Sequence, residues 1–173
     1  MHARSFMGWT ILRYIKQQNS YSCGPVAILN SLKWGEAPVT YNYHYSQLVD
    51  DCKTKETDDR EYGTSSYDFD RTLRKYGSKY FKIYKPQQCT YSQFEKHITD
   101  GGAAVLCFFH SGGGHFSFFP EYNQETKMFL SINDIIRETF AEQPKEEIMK
   151  RFKKRKISGC VYPHVWLLTK RDK

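Results

Sequence analysis

Gln17-Gln18-Asn19-Ser20-Tyr21-Ser22-Cys23-Gly24-Pro25-Val26-Ala27-Ile28-Leu29-Asn30-Ser31-Leu32-Lys33-Trp34-Gly35 runs from a polar loop into an apolar segment. The segment Cys23–Trp34 reads as a helix, with Gly35 just past its end. Proline is tolerated only in the first turn of a helix, where its missing N–H costs nothing. Pro25 therefore puts Cys23 at or just before the helix N-terminus. Val26, Ala27, Ile28, Leu29, Leu32 and Trp34 cover most sides of this helix, so the pattern predicts burial. A thiol at a helix N-terminus is a candidate nucleophile, because the helix dipole favours the thiolate. A low thiol pKa is the expectation for Cys23.

Outward from this helix the elements follow in order. Trp9–Ile15 reads as a short strand on the N-terminal side. On the other side a short helix is expected near Ser46–Cys52, within the polar, tyrosine-rich stretch Thr40–Gly63. Ser65–Tyr76 reads as a helix ended by Gly77, and Tyr80–Tyr84 as a strand. Thr90-x-x-Gln93 is a capping-box pattern that opens a helix through Ile98, with Gly101 and Gly102 closing it. Ala103–Phe109 is a continuous apolar run, as in a buried strand. Gly112–Gly114 makes a turn, His115–Phe119 and Lys127–Ile132 are strands joined by the polar turn Asn123–Glu125, and Val165–Thr169 is a last strand. Pro144–Lys156 reads as a basic amphipathic helix. Helices first and an antiparallel sheet afterwards predict an α+β fold, with residues 1–173 as one domain.

Composition narrows the class. With 39% hydrophobic residues over 173 positions, a real core is available and disorder is not the default. Five cysteines, an odd number without a CxxC pair, suggest neither a disulfide framework nor a zinc site. Free thiols fit a reducing, cytoplasmic setting. Met1–Trp9 lacks a signal-peptide core, and no apolar run reaches membrane-spanning length, so no membrane partner is expected. The net charge of +7 is concentrated between Lys145 and Lys156. A charge run of this kind is a solvated helix face, and nucleic acid is not the expected partner.

Thiol catalysis needs a base beside the nucleophile and a group to hold that base. His115 follows three glycines at the start of a strand, and Asp134 lies just beyond the end of the next one. Adjacent ends of an antiparallel pair can bring the two together. Cys23 alone would read as a small buried core residue, and Asp134 alone as a helix cap. The other histidines show no metal-ligand spacing, so no metal and no cofactor are expected.

The stretch Gln17–Gly24 resembles the Gln-x5-Cys-Gly signature of papain-like cysteine peptidases. It is most similar to that of the bacteriocin-leader peptidases and the phytochelatin synthases. Gly114-His115-Phe116-Ser117 resembles the Gly-His-Phe-Ser of phytochelatin synthases, and Asp134-Ile135-Ile136-Arg137 their Asp-x-x-Arg. The resemblance implies a papain-like fold, in which the nucleophile helix packs on the C-terminal antiparallel sheet. It implies Cys23 as nucleophile, His115 as general base and then acid, and Asp134 as orienter of the imidazole. Gln17 becomes the side-chain donor to the oxyanion, with the Cys23 backbone N–H as second donor. Gln18 is the fallback for Gln17, and Asn133 for Asp134. Gly24, Gly114 and Arg137 are candidate substrate contacts. The implied activity is hydrolysis or acyl transfer at a peptide or isopeptide amide through a thioester. A γ-glutamyl peptide such as glutathione is one candidate substrate. The alternative is a catalytically idle or regulatory binding module that uses its basic C-terminal helix to hold an acidic partner.

Overall fold

The computed structural model describes residues 14–55, 63–110, 113–133, 140–157 and 159–171. Helix α1 spans Cys23–Trp34, and every residue of it but Lys33 is buried. Helix α2 (Tyr41–Asp51) and helix α3 (Ser66–Gly77) pack beside it. Strand β1 (Phe81–Tyr84), helix α4 (Tyr91–Thr99), β2 (Ala103–His110), β3 (Gly113–Asn123) and β4 (Met128–Ile132) follow. Then come β5 (Phe140–Pro144), helix α5 (Lys145–Arg151), β6 (Arg155–Ile157), β7 (Cys160–Tyr162) and β8 (His164–Lys170).

Six strands form one antiparallel sheet in the order β1-β8-β2-β3-β4-β5, and β6 and β7 form a separate hairpin. Alternate residues of a strand point to opposite faces. Val105 and Cys107 of β2 join Phe116, Phe118, Trp166 and the α1–α3 residues on one face. Ala104, Leu106 and Phe108 join Phe94 and Ile98 of α4 and Ile148 of α5 on the other. Both faces of the central strands are covered, which is why Ala103–Phe109 is apolar without alternation. Phe69 of α3 stacks on Phe116 at 4.4 Å and tilts against Trp166 at 4.5 Å, tying α3 to the sheet beside α1.

Local signals hold where the chain contains its own partners. The capping box opens α4, where Thr90 Oγ1 accepts from Gln93 N at 3.2 Å and Gln93 Oε1 from Thr90 N at 2.9 Å. Gly35 ends α1 as expected, but at φ −73°. The left-handed residue is Glu36, at φ 62°. Gly35 is needed for space, since a Cβ there would sit 2.7 Å from the Phe81 ring.

Three expectations are corrected. Helix α2 begins at Tyr41, well before Ser46. Tyr14 and Ile15 are not in a strand, and the rest of the expected Trp9–Ile15 strand lies outside the described residues. The basic segment is not one helix: Pro144 ends β5, α5 stops at Arg151, and the chain turns at Phe152 into the β6–β7 hairpin. Among the described residues, no helix is long and apolar enough to cross a membrane.

Candidate active site

Cys23 is the first residue of α1 and only 6% exposed. Ser22 occupies the N-cap position, yet its side chain makes no cap bond and its Oγ is buried without a partner. The first-turn N–H groups of a helix are unpaired within the helix itself. Those of Cys23 and Gly24, with that of Phe116 from β3, favour the charged form of the thiol. Burial nevertheless pushes the Cys23 thiol above its ordinary value, because these three donors pull it down by less. The expected low pKa is therefore not met by the helix N-terminus alone. A buried thiolate needs a cation formed beside it.

His115 is buried on β3, one residue before the amide that reaches Cys23. Its Nε2 lies 2.6 Å from the main-chain oxygen of Asn133, and the edge of its ring meets Phe108 with centroids 5.7 Å apart. A carbonyl oxygen only accepts, so Nε2 carries the hydrogen. In the neutral ring, Nδ1 is then the unprotonated nitrogen.

Asn133, the fallback orienter, meets His115 through its backbone and not through its side chain. The side chain is committed elsewhere: Oδ1 accepts from Gln17 N at 2.8 Å, and Nδ2 donates to Ile15 O at 2.8 Å. Its φ of 55° is left-handed, a conformation that asparagine tolerates better than most residues. Asn30 of α1 grips the same stretch, with Ile15 N donating to Oδ1 at 2.7 Å and Nδ2 donating to Ile15 O at 3.0 Å. Two buried asparagines thus pin residues 15–17 between α1 and the end of β4. The sequence reading missed Asn30. Its signal was an asparagine inside an otherwise apolar helix, where a buried amide must find partners. Asp134 and Arg137 lie outside the described residues.

Gln17 is buried by this pinning, whereas Gln18 is exposed and donates only to Lys16 O, at 3.1 Å. Gln17 Nε2 donates to Asn19 O at 2.5 Å. An amide NH2 has two hydrogens, so a second donor remains. Asn19 Oδ1 in turn accepts from Ser22 N at 2.9 Å, which shapes the loop that leads into α1.

A cleft of about 520 Å³ opens over Cys23. Thr64, Tyr67, Cys107, Gly114, Tyr162 and His164 are among the residues that line it with Cys23. Gly114 is exposed there, and a Cβ on it would come 3.1 Å from the Tyr162 hydroxyl. Gly24, an expected substrate contact, has a packing role in the structure. It is buried, and a Cβ on it would lie 2.6 Å from Thr64 Oγ1, so the missing side chain makes room for Thr64. Cys52, Cys89, Cys107 and Cys160 are free, as is Cys23. Among the described residues, no group of three or more His, Cys, Asp or Glu side chains is arranged to hold a metal ion.

No protein-family model matches the chain, and no curated protein matches it in sequence. Solved structures match it in fold. The peptidase domain of Streptococcus ComA, a bifunctional ABC transporter involved in a quorum-sensing pathway, gives a TM-score of 0.64 at 12% identity. The match spans 92% of this chain and 98% of that one. A double-glycine-motif protease from an AMS/PCAT transporter, solved with its leader peptide, gives 0.59 at 14% identity, over 91% of each chain. The peptidase domain of Streptococcus mutans ComA gives 0.52 at 11% identity, over 90% of this chain and 98% of that one. The chain therefore has the papain-like α+β fold of these peptidase domains.

Proposed function

We propose that this chain is a cysteine-nucleophile hydrolase that cleaves a peptide amide bond through a thioester. The observation that carries the reading is the hydrogen bond between His115 Nε2 and the Asn133 carbonyl, at 2.6 Å. A carbonyl oxygen only accepts, so this bond assigns the hydrogen to Nε2 and offers Nδ1 as the base for Cys23.

In this reading His115 Nδ1 takes the Cys23 proton as the sulfur attacks the substrate carbonyl carbon. Burial raises the thiol, and an imidazolium formed at His115 would offset the cost of a buried thiolate. The carbonyl oxygen becomes an oxyanion and accepts from the Cys23 backbone N–H and from Gln17 Nε2. Preorganised donors of this kind contribute about 3–4 kcal/mol each at the transition state. The C–N bond breaks as His115 returns the proton to the leaving amine. Water then attacks the thioester with His115 again as base, releasing the acid and the Cys23 thiol. An amine in place of water would give acyl transfer. Asp134 takes the role that the family resemblance implies for it, the carboxylate that stabilises the imidazolium.

The open cleft of about 520 Å³ favours an extended peptide. The fold match to a double-glycine-motif protease bound to its leader peptide supports including a peptide with that motif among the first substrates tried. Glutathione belongs in the same panel. The test is intact-mass analysis of the protein mixed with each substrate. The expected result is an acyl adduct on Cys23 that is absent in Cys23→Ala. Turnover that persists in Cys23→Ala would overturn the proposal.

A further inference from the structure

A second cleft, of about 310 Å³, adjoins the first and shares Phe109 and Tyr162 with it. Its other walls come from α5 and the start of β6, and Lys150, Arg151, Lys153 and Arg155 all line it. On one continuous helix these four positions would point in widely different directions. The stop at Arg151 and the turn at Phe152 make them converge. Residues 145–156 contain seven basic side chains and two acidic ones.

The cations are not equivalent. Lys150 is paired with Glu147 at 2.6 Å, and the Arg151 guanidinium lies over the Phe108 ring at 4.3 Å. Lys153 and Arg155 are exposed, and among the described residues neither has an ion-pair partner. Exposed cations converging on a concavity raise the local concentration of anionic ligands. The arginine fork can in addition accept a carboxylate through two hydrogen bonds.

We infer that this cleft is a substrate subsite for acidic residues: a peptide lying over Cys23 continues past Tyr162 and sets a glutamate or aspartate against Lys153 and Arg155. The inference deepens the proposed peptidase reading and rests on it for the identity of the occupant. A carboxylate-bearing peptide fits better than nucleic acid, because the cations surround a bounded pocket with the Glu147 carboxylate at its wall. A phosphate backbone would meet that carboxylate.

The test separates binding from turnover by using Cys23→Ala protein. Two fluorescein-labelled peptides are compared by anisotropy, one with a run of glutamates and one with glutamines in their place. The glutamate peptide should bind about tenfold tighter at low salt, and the difference should shrink as salt is raised. Lys153→Glu/Arg155→Glu protein should lose the preference, and the milder Lys153→Gln/Arg155→Gln protein should reduce it. In the unmodified protein the bound glutamate peptide should slow carbamidomethylation of Cys23, which links the two clefts. Equal binding of the two peptides would overturn the subsite. So would a glutamate peptide that leaves Cys23 alkylation unchanged, or an oligonucleotide that binds tighter than the peptide. Tight, charge-dependent binding that protects Cys23 without any turnover would uphold the acidic subsite and count against the hydrolase reading alone.

Discussion

At the scale of single residues, the site depends on amides that no motif announces. Asn133 touches both halves of the proposed chemistry, since its side chain holds residues 15–17 and its carbonyl holds His115. Asn133→Ala keeps the carbonyl but strands Gln17 N, at a cost of about 1–3 kcal/mol, and leaves Ile15 O to Asn30 Nδ2 alone. The expected outcome is a lower urea midpoint and at least a tenfold loss in turnover, larger than the stability change alone explains. Asn133→Asp keeps the acceptor for Gln17 N but sets a second oxygen against Ile15 O, so it should be damaged as well. Wild-type turnover in a folded Asn133→Ala protein would refute this role. Gln17 offers a second test. Gln17→Ala should lower kcat by about 10²- to 10³-fold with little change in KM, whereas Gln18→Ala, whose side chain is exposed, should do almost nothing. Comparable losses in the two variants would show that the loop register is wrong.

At the scale of elements, the readable parts of the sequence were those with local causes. Pro25 and the apolar run to Trp34 fixed α1, Thr90 and Gln93 fixed the start of α4, and Ala103–Phe109 marked a strand covered on both faces. Thr90→Ala should cost about 1 kcal/mol of stability by equilibrium denaturation, because it removes one half of the capping box. A change below a few tenths would mean that tertiary packing alone fixes α4. What stayed illegible was non-local or short. Strand β5 carries Glu142 and Gln143 and gains its identity only by pairing with β4. Strands β6 and β7 are three residues each, too short for an alternating pattern. The basic segment favoured a helix by propensity until pairing with β7 claimed Arg155–Ile157. Gln17 and Asn133 are bonded across 116 positions, a distance at which no spacing rule operates.

At the scale of the whole molecule, burial of thiols sets a pH limit. Burial pushes the thiol of Cys52 up to about 12, and also raises those of Cys23 and Cys107. Each of these groups binds its proton more tightly in the folded chain than in the unfolded one. Stability is therefore full below the ordinary thiol value of 9.0 and is lost as pH rises from there toward the folded values. Every tenfold tightening of proton binding contributes about 1.4 kcal/mol. Urea midpoints should be level from neutral pH to about 9 and fall steadily above it. A flat profile up to about pH 11 would show that water reaches these thiols.

The burial of α1 on all sides has a kinetic corollary. A catalytic group on a surface loop can be lost by local fraying, long before the rest of the fold gives way. Cys23 instead belongs to a helix whose one unburied residue is Lys33, and which is enclosed by the sheet, α2 and α3. Its amides should be among the slowest in the chain to exchange with deuterated water, with opening energies close to that of global unfolding. Heat inactivation and loss of structure should accordingly run together in time, with no interval in which the protein is folded but dead.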